Sequence, residues 1–136
     1  MRKKTGHCLC GSVSYEINSP PVFSITCHCT DCQKATGSAF SINIGVPDDA
    51  FSVFGNTLTK YADTGDSGKE LRHYFCNQCG SPVFNEADAM PGLKVVKAGT
   101  LDDPTSFKPD TNIFCSSRME WVTKAGETAD FDKMPT

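Results

Sequence analysis

Closely spaced cysteines constrain the fold of this chain more than any other feature of its sequence. The chain has eight cysteines in 136 residues, and seven of them lie in one C-x-C, one C-x-C-x-x-C and one C-x-x-C motif. The seven are Cys8 and Cys10, then Cys27, Cys29 and Cys32, then Cys76 and Cys79. Such spacings let thiolates converge on one ion about 2.3 Å away. Their repetition indicates metal ligands rather than buried, unligated thiols.

Composition bears on whether these cysteines form disulfides instead. Hydrophobic residues make up 38% of the chain and charged residues 21%, which is typical of a soluble globular protein. No apolar run approaches the roughly 20 residues that span a bilayer. The start, MRKKTGHCLCG, lacks the apolar stretch of a secretory signal, and its basic residues are expected to be solvated. We therefore expect a cytoplasmic protein without a membrane partner, in which clustered cysteines bind metal more often than they form disulfides.

The number of cysteines predicts how many ions are bound. Seven clustered thiolates divide most simply into a group of four and a group of three. All-sulfur tetrahedral sites favour zinc or iron–sulfur clusters, and the spacings do not resemble the ferredoxin patterns. We therefore predict two zinc ions per chain. The formal net charge of -3 gives no support for nucleic-acid binding.

The residues alone leave open which motifs share an ion. Between Cys10 and Cys27 lie 16 residues, a usual gap in zinc ribbons, whereas 65 residues lie between Cys10 and Cys76. The longer closure costs only about 1.2 kcal/mol more, which is small beside the roughly 10–16 kcal/mol of apparent binding free energy of a structural zinc. Joining the C-x-C motif to the C-x-x-C motif closes a site of four. It leaves the C-x-C-x-x-C motif as a local group with one open coordination position.

Most other segments predict short β-strands. The stretch GSVSYEI places Val13, Tyr15 and Ile17 on one face. Further short stretches rich in β-branched or aromatic residues are separated by Gly, Pro, Asp or Asn. They are SAFSINIGV, FSVF, TLTKYA, LRHYF, PVFNEA, LKVVKAG and TNIFCSS.

One short helix is predicted from Asp31 to about Thr36, ending at Gly37. It carries Cys32 in its first turn, where free N–H groups and the helix dipole favour a thiolate.

Several motifs together resemble one known family. GHCLCGSVSYEI, CHCTDCQKATGSAF, YFCNQCGSPVF, AGTLDDP and IFCSSRMEW occur in the order of the glutathione-dependent formaldehyde-activating enzyme (GFA) family, which shares its domain with centromere protein V. The resemblance covers about residues 6–121, so we expect one domain over residues 1–136 with a loosely ordered tail at 122–136. It implies a mainly β fold of small, zinc-stapled, tent-like sheets with one short helix. The chain departs from many members at Asn112, where His is frequent, and at Glu120, where Pro is frequent.

The resemblance also implies ligand sets and an activity. A structural zinc would be held by Cys8, Cys10, Cys76 and Cys79. A more labile zinc at the reaction centre would be held by Cys27, Cys29 and Cys32. The founding activity joins glutathione and formaldehyde into S-hydroxymethylglutathione. We therefore expect a carbon–sulfur lyase acting on the adduct of a thiol such as glutathione with a small aldehyde.

Three thiolates leave zinc a poor Lewis acid with a formal charge of about -1, which suits it to hold an incoming thiolate. An anionic thiol such as glutathione then needs cations. Lys34 and Arg118 are the candidates, with Lys60 and Arg72 behind them. Gly37 and Ser38 are expected to line the mouth of the site.

His28 lies between two predicted ligands. On an extended segment its side chain points away from the metal, so we predict a structural, hydrogen-bonded histidine.

Two other functions are compatible with the sequence. Cys115, expected on a late strand beside Ile113, would be the nucleophile of a redox enzyme similar to methionine sulfoxide reductases. Alternatively, the chain is a zinc-folded binding module without activity, and a fourth ligand such as Cys115 would then close the second site. The sequence predicts no oligomeric state.

Overall fold

The computed structural model describes residues 3–123 and 128–135. The first two residues of the basic start, and the parts of the predicted tail at 124–127 and 136, lie outside the described residues. The strands are β1 (Lys4–His7), β2 (Ser14–Ile17), β3 (Phe23–Cys27), β4 (Ser41–Pro47), β5 (Phe51–Phe54), β6 (Leu58–Thr64), β7 (Glu70–Cys76), β8 (Pro82–Ala87), β9 (Leu93–Lys97), β10 (Thr111–Ile113) and β11 (Ala129–Asp130). The described part of the chain has one α-helix, α1 (Thr30–Thr36). The mainly β fold with one short helix is confirmed.

The strands form two open sheets. One has three strands in the order β1-β2-β5, and the other has eight in the order β11-β10-β3-β4-β9-β8-β7-β6. Neighbouring strands are antiparallel except that β10 runs parallel to both β3 and β11. Short hairpins connect β1 to β2, and connect β6, β7, β8 and β9 in sequence, as the frequent turn residues predicted.

The hydrophobic core lies between the two sheets. Val13, Tyr15 and Ile17 are fully or almost fully buried, which confirms the predicted alternation along β2. The eight-stranded sheet contributes Ile44 and Val96, which lie opposite each other on β4 and β9. Because side chains alternate along a strand, the residues between these core positions project from the other face. We call that face, which carries Cys27, Ser41, Asn43 and Lys97, the outer face of the large sheet.

The helix α1 follows β3 directly and begins at a cysteine cap. Cys29 is the N-cap, and its Sγ accepts a hydrogen bond from the N–H of Cys32. Gly37 ends the helix in the left-handed conformation, with φ of 64°, as the sequence predicted. Gln33 connects the helix to neighbouring segments, because its Nε2 donates hydrogen bonds to the carbonyl oxygens of His28 and Ser117.

Three strands were not predicted: β1, β3 and β11. The first was assigned to a solvated basic start, but Lys4–His7 pairs with β2 over its whole length. The strand β3 (Phe23–Cys27) includes Cys27, the first cysteine of the C-x-C-x-x-C motif. It was not predicted because the stretch was interpreted as a set of metal ligands and not as a strand. The short β11 has only the sequence Ala-Asp and is formed by its pairing with β10.

The predicted position of Cys115 was wrong. The strand β10 ends at Ile113, because Phe114 adopts a left-handed conformation with φ of 54°. Cys115 begins a short 3-10 turn instead, and it does not continue the strand face of Ile113. No helix within residues 3–123 and 128–135 is long and apolar enough to cross a membrane.

Candidate metal centres and active site

The first cluster brings together four sulfur atoms, those of Cys8, Cys10, Cys76 and Cys79, all within 4.8 Å of one another. The Sγ of Cys10 lies 3.7 Å from that of Cys8 and 3.7 Å from that of Cys76. A tetrahedral zinc site with bonds of about 2.3 Å requires sulfur–sulfur distances of about 3.8 Å. The donor atoms of this cluster therefore fit a zinc ion.

Two similar turns hold these four residues. In each, the N–H of a glycine with φ of 81° donates to the carbonyl of the first cysteine: Gly11 to Cys8 at 3.0 Å, and Gly80 to Cys76 at 2.8 Å. The sulfurs accept further backbone N–H groups, including that of Val13 at 3.3 Å. One turn follows β1 of the small sheet, and the other connects β7 and β8 of the large sheet. An ion bound here would link the two sheets.

The second cluster is local. The sulfur atoms of Cys27, Cys29 and Cys32 lie within 4.8 Å of one another. Cys27 ends β3, Cys29 caps α1, and Cys32 lies in the first turn of the helix. Within the part of the chain that the structure describes, no further Cys, His, Asp or Glu joins this group of ligand atoms. The cluster therefore offers three thiolates and leaves room for one more ligand, a donor set that suits zinc.

Electrostatic interactions within the second cluster favour a bound cation. Hydrogen bonds to Cys29 and Cys32, together with burial, raise the pKa of Cys27. Hydrogen bonds from Cys27 and Cys29 hold the pKa of Cys32 well below its ordinary value, and the Ser41 hydroxyl and the charge of Lys97 act in the same direction. These interactions therefore favour a thiolate on Cys32, in the first turn of α1.

Lys97 is a further charged residue on the outer face. The side chain is 9% exposed, and its Nζ donates to Oδ1 of Asn43 at 2.9 Å. Burial lowers the pKa of Lys97, whereas the negative charges of Cys32, Cys27 and Cys29 raise it. Among the described residues, no carboxylate forms an ion pair with it.

A cavity of ≈ 500 Å³ opens beside this lysine. Its walls include Asp31 and Lys34 of α1, Tyr61 and His73 of the outer face, and Lys97. The cavity therefore lies between the helix that carries Cys32 and the strand that carries Lys97. The lining residue Asp31 is the neighbour of Cys32 in the chain, so the cavity reaches the first turn of α1, although the three cysteines themselves do not line it.

The residues predicted to bind substrate lie on the rim of a neighbouring groove. Lys34, Gly37 and Ser38 line this space of ≈ 590 Å³ together with Met119 and Trp121. Lys34 is exposed and borders both spaces. Its ammonium group is therefore available to an anionic ligand of either.

The other predicted cations are engaged elsewhere. Arg118 is 3.4 Å from the carboxylate of Asp130, so its charge is partly balanced. Arg72 forms ion pairs with Glu70, Glu86 and Asp88. Lys60 is an exposed residue of β6 and does not line the cavity.

Cys115 and His28 are not brought into the second cluster. The Sγ of Cys115 lies 3.5 Å from the carbonyl oxygen of Asn112, and it is not among the three sulfurs that converge. His28 is 2% exposed, with Nε2 at 3.3 Å from Oγ1 of Thr26 and its ring against Phe40. The histidine side chain thus packs inside the protein, as its place in an extended segment predicted.

Comparison with known proteins places the chain in a family. The family model described as glutathione-dependent formaldehyde-activating enzyme matches residues 3–117. The chain belongs to the GFA family. Membership confirms the resemblance carried by the cysteine motifs.

Fungal members of the GFA family are similar over most of the chain. A protein of Penicillium rubens is 31% identical over 117 residues, which are 84% of this chain and 60% of the fungal protein. A protein of Talaromyces marneffei is 29% identical over 84% of this chain and 62% of its own length. Both bear the provisional name glutathione-dependent formaldehyde-activating enzyme. The chain thus spans about three fifths of the length of these relatives.

A solved structure shares the fold. A crystal structure of a Rhodobacter sphaeroides protein matches with a TM-score of 0.58 over 93% of this chain and 98% of that one, at 19% identity. At this identity the match is evidence for the fold alone.

Lys97, which interacts electrostatically with the three cysteines of the second cluster, was not singled out from the sequence. A lysine near the end of the predicted strand LKVVKAG is expected to be solvated. The signal that could have found it is the period of two, because Lys97 shares a face with Val95, which is buried.

Proposed function

We propose that this chain is a zinc-dependent carbon–sulfur lyase that forms or cleaves the adduct of glutathione with a small aldehyde such as formaldehyde. The observation that carries the proposal is the second cluster: three converging thiols, without a fourth protein ligand among the described residues, beside a cavity. Family membership and the names of the fungal relatives support glutathione and formaldehyde as the substrates.

Two zinc ions are proposed, because the donor sets of both clusters suit that ion. Cys8, Cys10, Cys76 and Cys79 would hold one ion between the sheets, in a structural role. Cys27, Cys29 and Cys32 would hold the other. At that second site, zinc supplies one free coordination position and lowers the pKa of a thiol that occupies it.

The protein groups around the second cluster then have definable roles. The cavity receives the aldehyde, and the surrounding side chains exclude part of the water that would otherwise hydrate it. Lys34 on the rim attracts a carboxylate of glutathione, with Gly37 and Ser38 beside it. Arg118, which precedes the groove residue Met119 in the chain, is the second proposed cation. The sulfur of the substrate attacks the carbonyl carbon, the C–S bond forms, and the C=O electron pair moves to oxygen, which takes a proton from water. The reverse sequence cleaves the adduct.

The extent and location of the protein belong to the same proposal. We infer a single domain over residues 1–136, working on small molecules in the cytoplasm without nucleic acid or membrane partners.

The proposal is tested by the rate of product formation. With glutathione and ¹³C-formaldehyde, zinc-containing protein should accelerate the exchange between free and thiol-bound formaldehyde, followed by NMR, at least tenfold over buffer. Cys29→Ser should abolish the acceleration while circular dichroism remains that of the folded protein. Cys115→Ser is the matched control and should retain the full rate.

Two results would contradict the proposal. Equal exchange with wild type, Cys29→Ser and buffer would favour a zinc-folded binding module instead. Loss of activity in Cys115→Ser alone would point to thiol chemistry at Cys115.

A further inference from the structure

We propose that Lys97 is a catalytic residue of this site, whose ammonium group binds the aldehyde oxygen and stabilises the negative charge that develops on it. The inference rests on the proposed function and deepens it, since it names the group that receives the reacting carbonyl. The cavity beside Lys97 is then the aldehyde site.

Strand register places Lys97 in line with the second cluster. Cys27 on β3 lies opposite Ser41 on β4, Asn43 follows two residues along β4, and Asn43 lies opposite Lys97 on β9. Opposed residues of antiparallel strands project from the same face with Cβ atoms about 4.5–5.5 Å apart. Hydrogen bonds connect this row: Asn43 Nδ2 donates to Ser41 Oγ at 2.9 Å, and Lys97 Nζ donates to Asn43 Oδ1 at 2.9 Å.

The surroundings of Lys97 differ from those of a structural lysine. A buried ammonium group ordinarily pairs with a carboxylate, because burial without a partner is costly. Here the described residues supply one neutral amide oxygen, so the three donors of the ammonium group are not all used. The nearby negative charge is that of the cysteines. The remaining donors are therefore available to a ligand in the cavity.

Lys97 is more deeply buried than Lys34, the cation proposed to bind a carboxylate of glutathione. Lys34 is exposed on the rim, whereas Lys97 is 9% exposed at the cavity wall. The carboxylates of a tripeptide thiol lie several bonds from its sulfur and reach the rim. The oxygen that becomes anionic is bonded to the carbon that the sulfur attacks, so it stays near the cluster, on the side of Lys97.

The step balances without a further reactant. The sulfur lone pair forms the C–S bond, the π pair of the carbonyl becomes a lone pair on oxygen, and that oxygen is protonated by water. The proton lost by the thiol on ionisation balances the one taken up. The ammonium group of Lys97 donates a hydrogen bond to the oxygen as negative charge develops on it, a form of stabilisation that is strongest where water is excluded.

The test compares two glutathione derivatives by calorimetry on zinc-containing protein. Glutathione sulfonate carries anionic oxygens at the reacting end, whereas S-methylglutathione has the same carboxylates and an uncharged end. Lys97→Met should weaken the binding of glutathione sulfonate at least about tenfold, which is the scale of a hydrogen bond to a charged group. The affinity for S-methylglutathione should change less than about twofold in the same variant. Lys97→Arg should restore most of the affinity for the sulfonate, and Lys97→Gln serves if the Met variant does not fold.

Lys94→Met is the matched control. Lys94 lies on the same strand but on the core-side face, in ion pairs with Asp48 and Glu86. Its loss should leave both affinities unchanged even if it lowers stability.

The possible failures are distinguishable. Equal weakening of both derivatives in Lys97→Met would assign Lys97 to a carboxylate of glutathione and overturn the inference. Unchanged affinities would make it a structural lysine. If wild type binds neither derivative, the proposed function fails and the inference falls with it.

Discussion

Gly6 shows at the level of single residues how closely β1 packs against the turn that follows β9. It is a buried residue of β1 and forms a bridge with Leu101. A Cβ at this position would overlap the ring of Tyr15 and lie 2.6 Å from the carbonyl oxygen of Thr100. The hydroxyls of Tyr15 and Thr100 are hydrogen-bonded at 2.7 Å, so the ring cannot move away without breaking that contact.

Gly6→Ala is therefore expected to lower the free energy of unfolding by about 2 kcal/mol, the usual cost of overpacking. Gly99→Ala is the control, because a Cβ there would meet nothing within 4 Å, and its effect should stay within about 0.5 kcal/mol. Denaturant unfolding of the zinc-containing proteins measures both. Equal stability of the two variants would show that the Tyr15 ring relaxes freely.

At the same scale, the sequence predicted which cysteines converge better than it predicted the environments of single side chains. The cysteines were recognisable because metal ligands need fixed local spacings. Lys97 was not, because its environment depends on Asn43, which lies 54 positions away along the chain and becomes its neighbour only through strand register. Arg118 was a candidate for an anionic substrate on residue type alone, and its pairing with Asp130 depends on β11, which the sequence did not predict.

At the scale of elements, an ion-pair network joins β7, β8 and β9 across the large sheet. Glu86 of β8 accepts from Arg72 Nε at 3.2 Å and from the Tyr74 hydroxyl at 2.8 Å, and its other oxygen lies 2.6 Å from Lys94 Nζ. Burial opposes ionisation of this carboxyl, but the hydrogen bonds from Lys94, Tyr74 and Arg72 outweigh it and lower the pKa of Glu86 to about 2.

This network makes stability depend on pH. A carboxyl whose pKa is lower in the folded state stabilises the protein above the unfolded pKa of about 4.3, and the stabilisation is lost as pH falls toward about 2. At pH 6 the free energy of unfolding of the wild type should exceed that of Glu86→Gln by about 1–2 kcal/mol, a figure that allows for solvent screening of a partly exposed network. This difference in stability should disappear between about pH 5 and pH 2. It is measured from the unfolding midpoints of the two proteins at each pH. Any metal lost in acid would be lost from both proteins, so only the difference between their stabilities is informative. A difference that does not depend on pH would contradict the assignment.

The helix α1 depends on one glutamine for its placement. Gln33 donates to the carbonyls of His28 and Ser117 at 3.0 and 3.1 Å, and so connects the helix to the end of β3 and to the turn after β10. Two of the three sulfurs of the second cluster move with this helix. Gln33→Leu should therefore release zinc from that cluster about tenfold faster, the scale at which residues behind metal ligands act.

Release to a chromophoric chelator measures this effect. Gln78→Leu is the matched control, because it makes the same change beside the first cluster at an exposed side chain. Among the described residues that side chain is hydrogen-bonded only to Ser12, at 3.4 Å. Release from Gln33→Leu at the wild-type rate would show that the cysteines alone fix the helix.

Elements were predictable where the pattern was local. Alternation identified β2, and the terminal glycine Gly37 identified the end of α1. By contrast, β1 and β11 are short and polar, and pairing with a neighbour creates them. The end of β10 depends on one residue, Phe114, in the left-handed conformation, which no sequence signal for a bulky residue predicts.

At the scale of the whole molecule, the two clusters differ in what they hold together. The first joins the turn after β1 to the β7–β8 hairpin, so its ligands come from both sheets, and Cys8 and Cys76 are fully buried. The second takes its ligands from residues 27–32, and two of them are partly exposed. A structural zinc contributes roughly 10–16 kcal/mol of apparent binding free energy. That is comparable with the whole stability of a domain of this size, about 5–15 kcal/mol.

A chelator should therefore remove zinc in two phases with different structural consequences. The first equivalent leaves the local cluster without loss of β-sheet, and glutathione slows its release by occupying the same ion. The second leaves only as the sheets separate and circular dichroism is lost. Cys29→Ser should lack the first phase and remain folded, whereas Cys76→Ser should fail to fold at 37 °C. Simultaneous release of both ions with unfolding would mean that the local cluster is as structural as the other, and a folded Cys76→Ser would mean that the core between the sheets is sufficient without the metal.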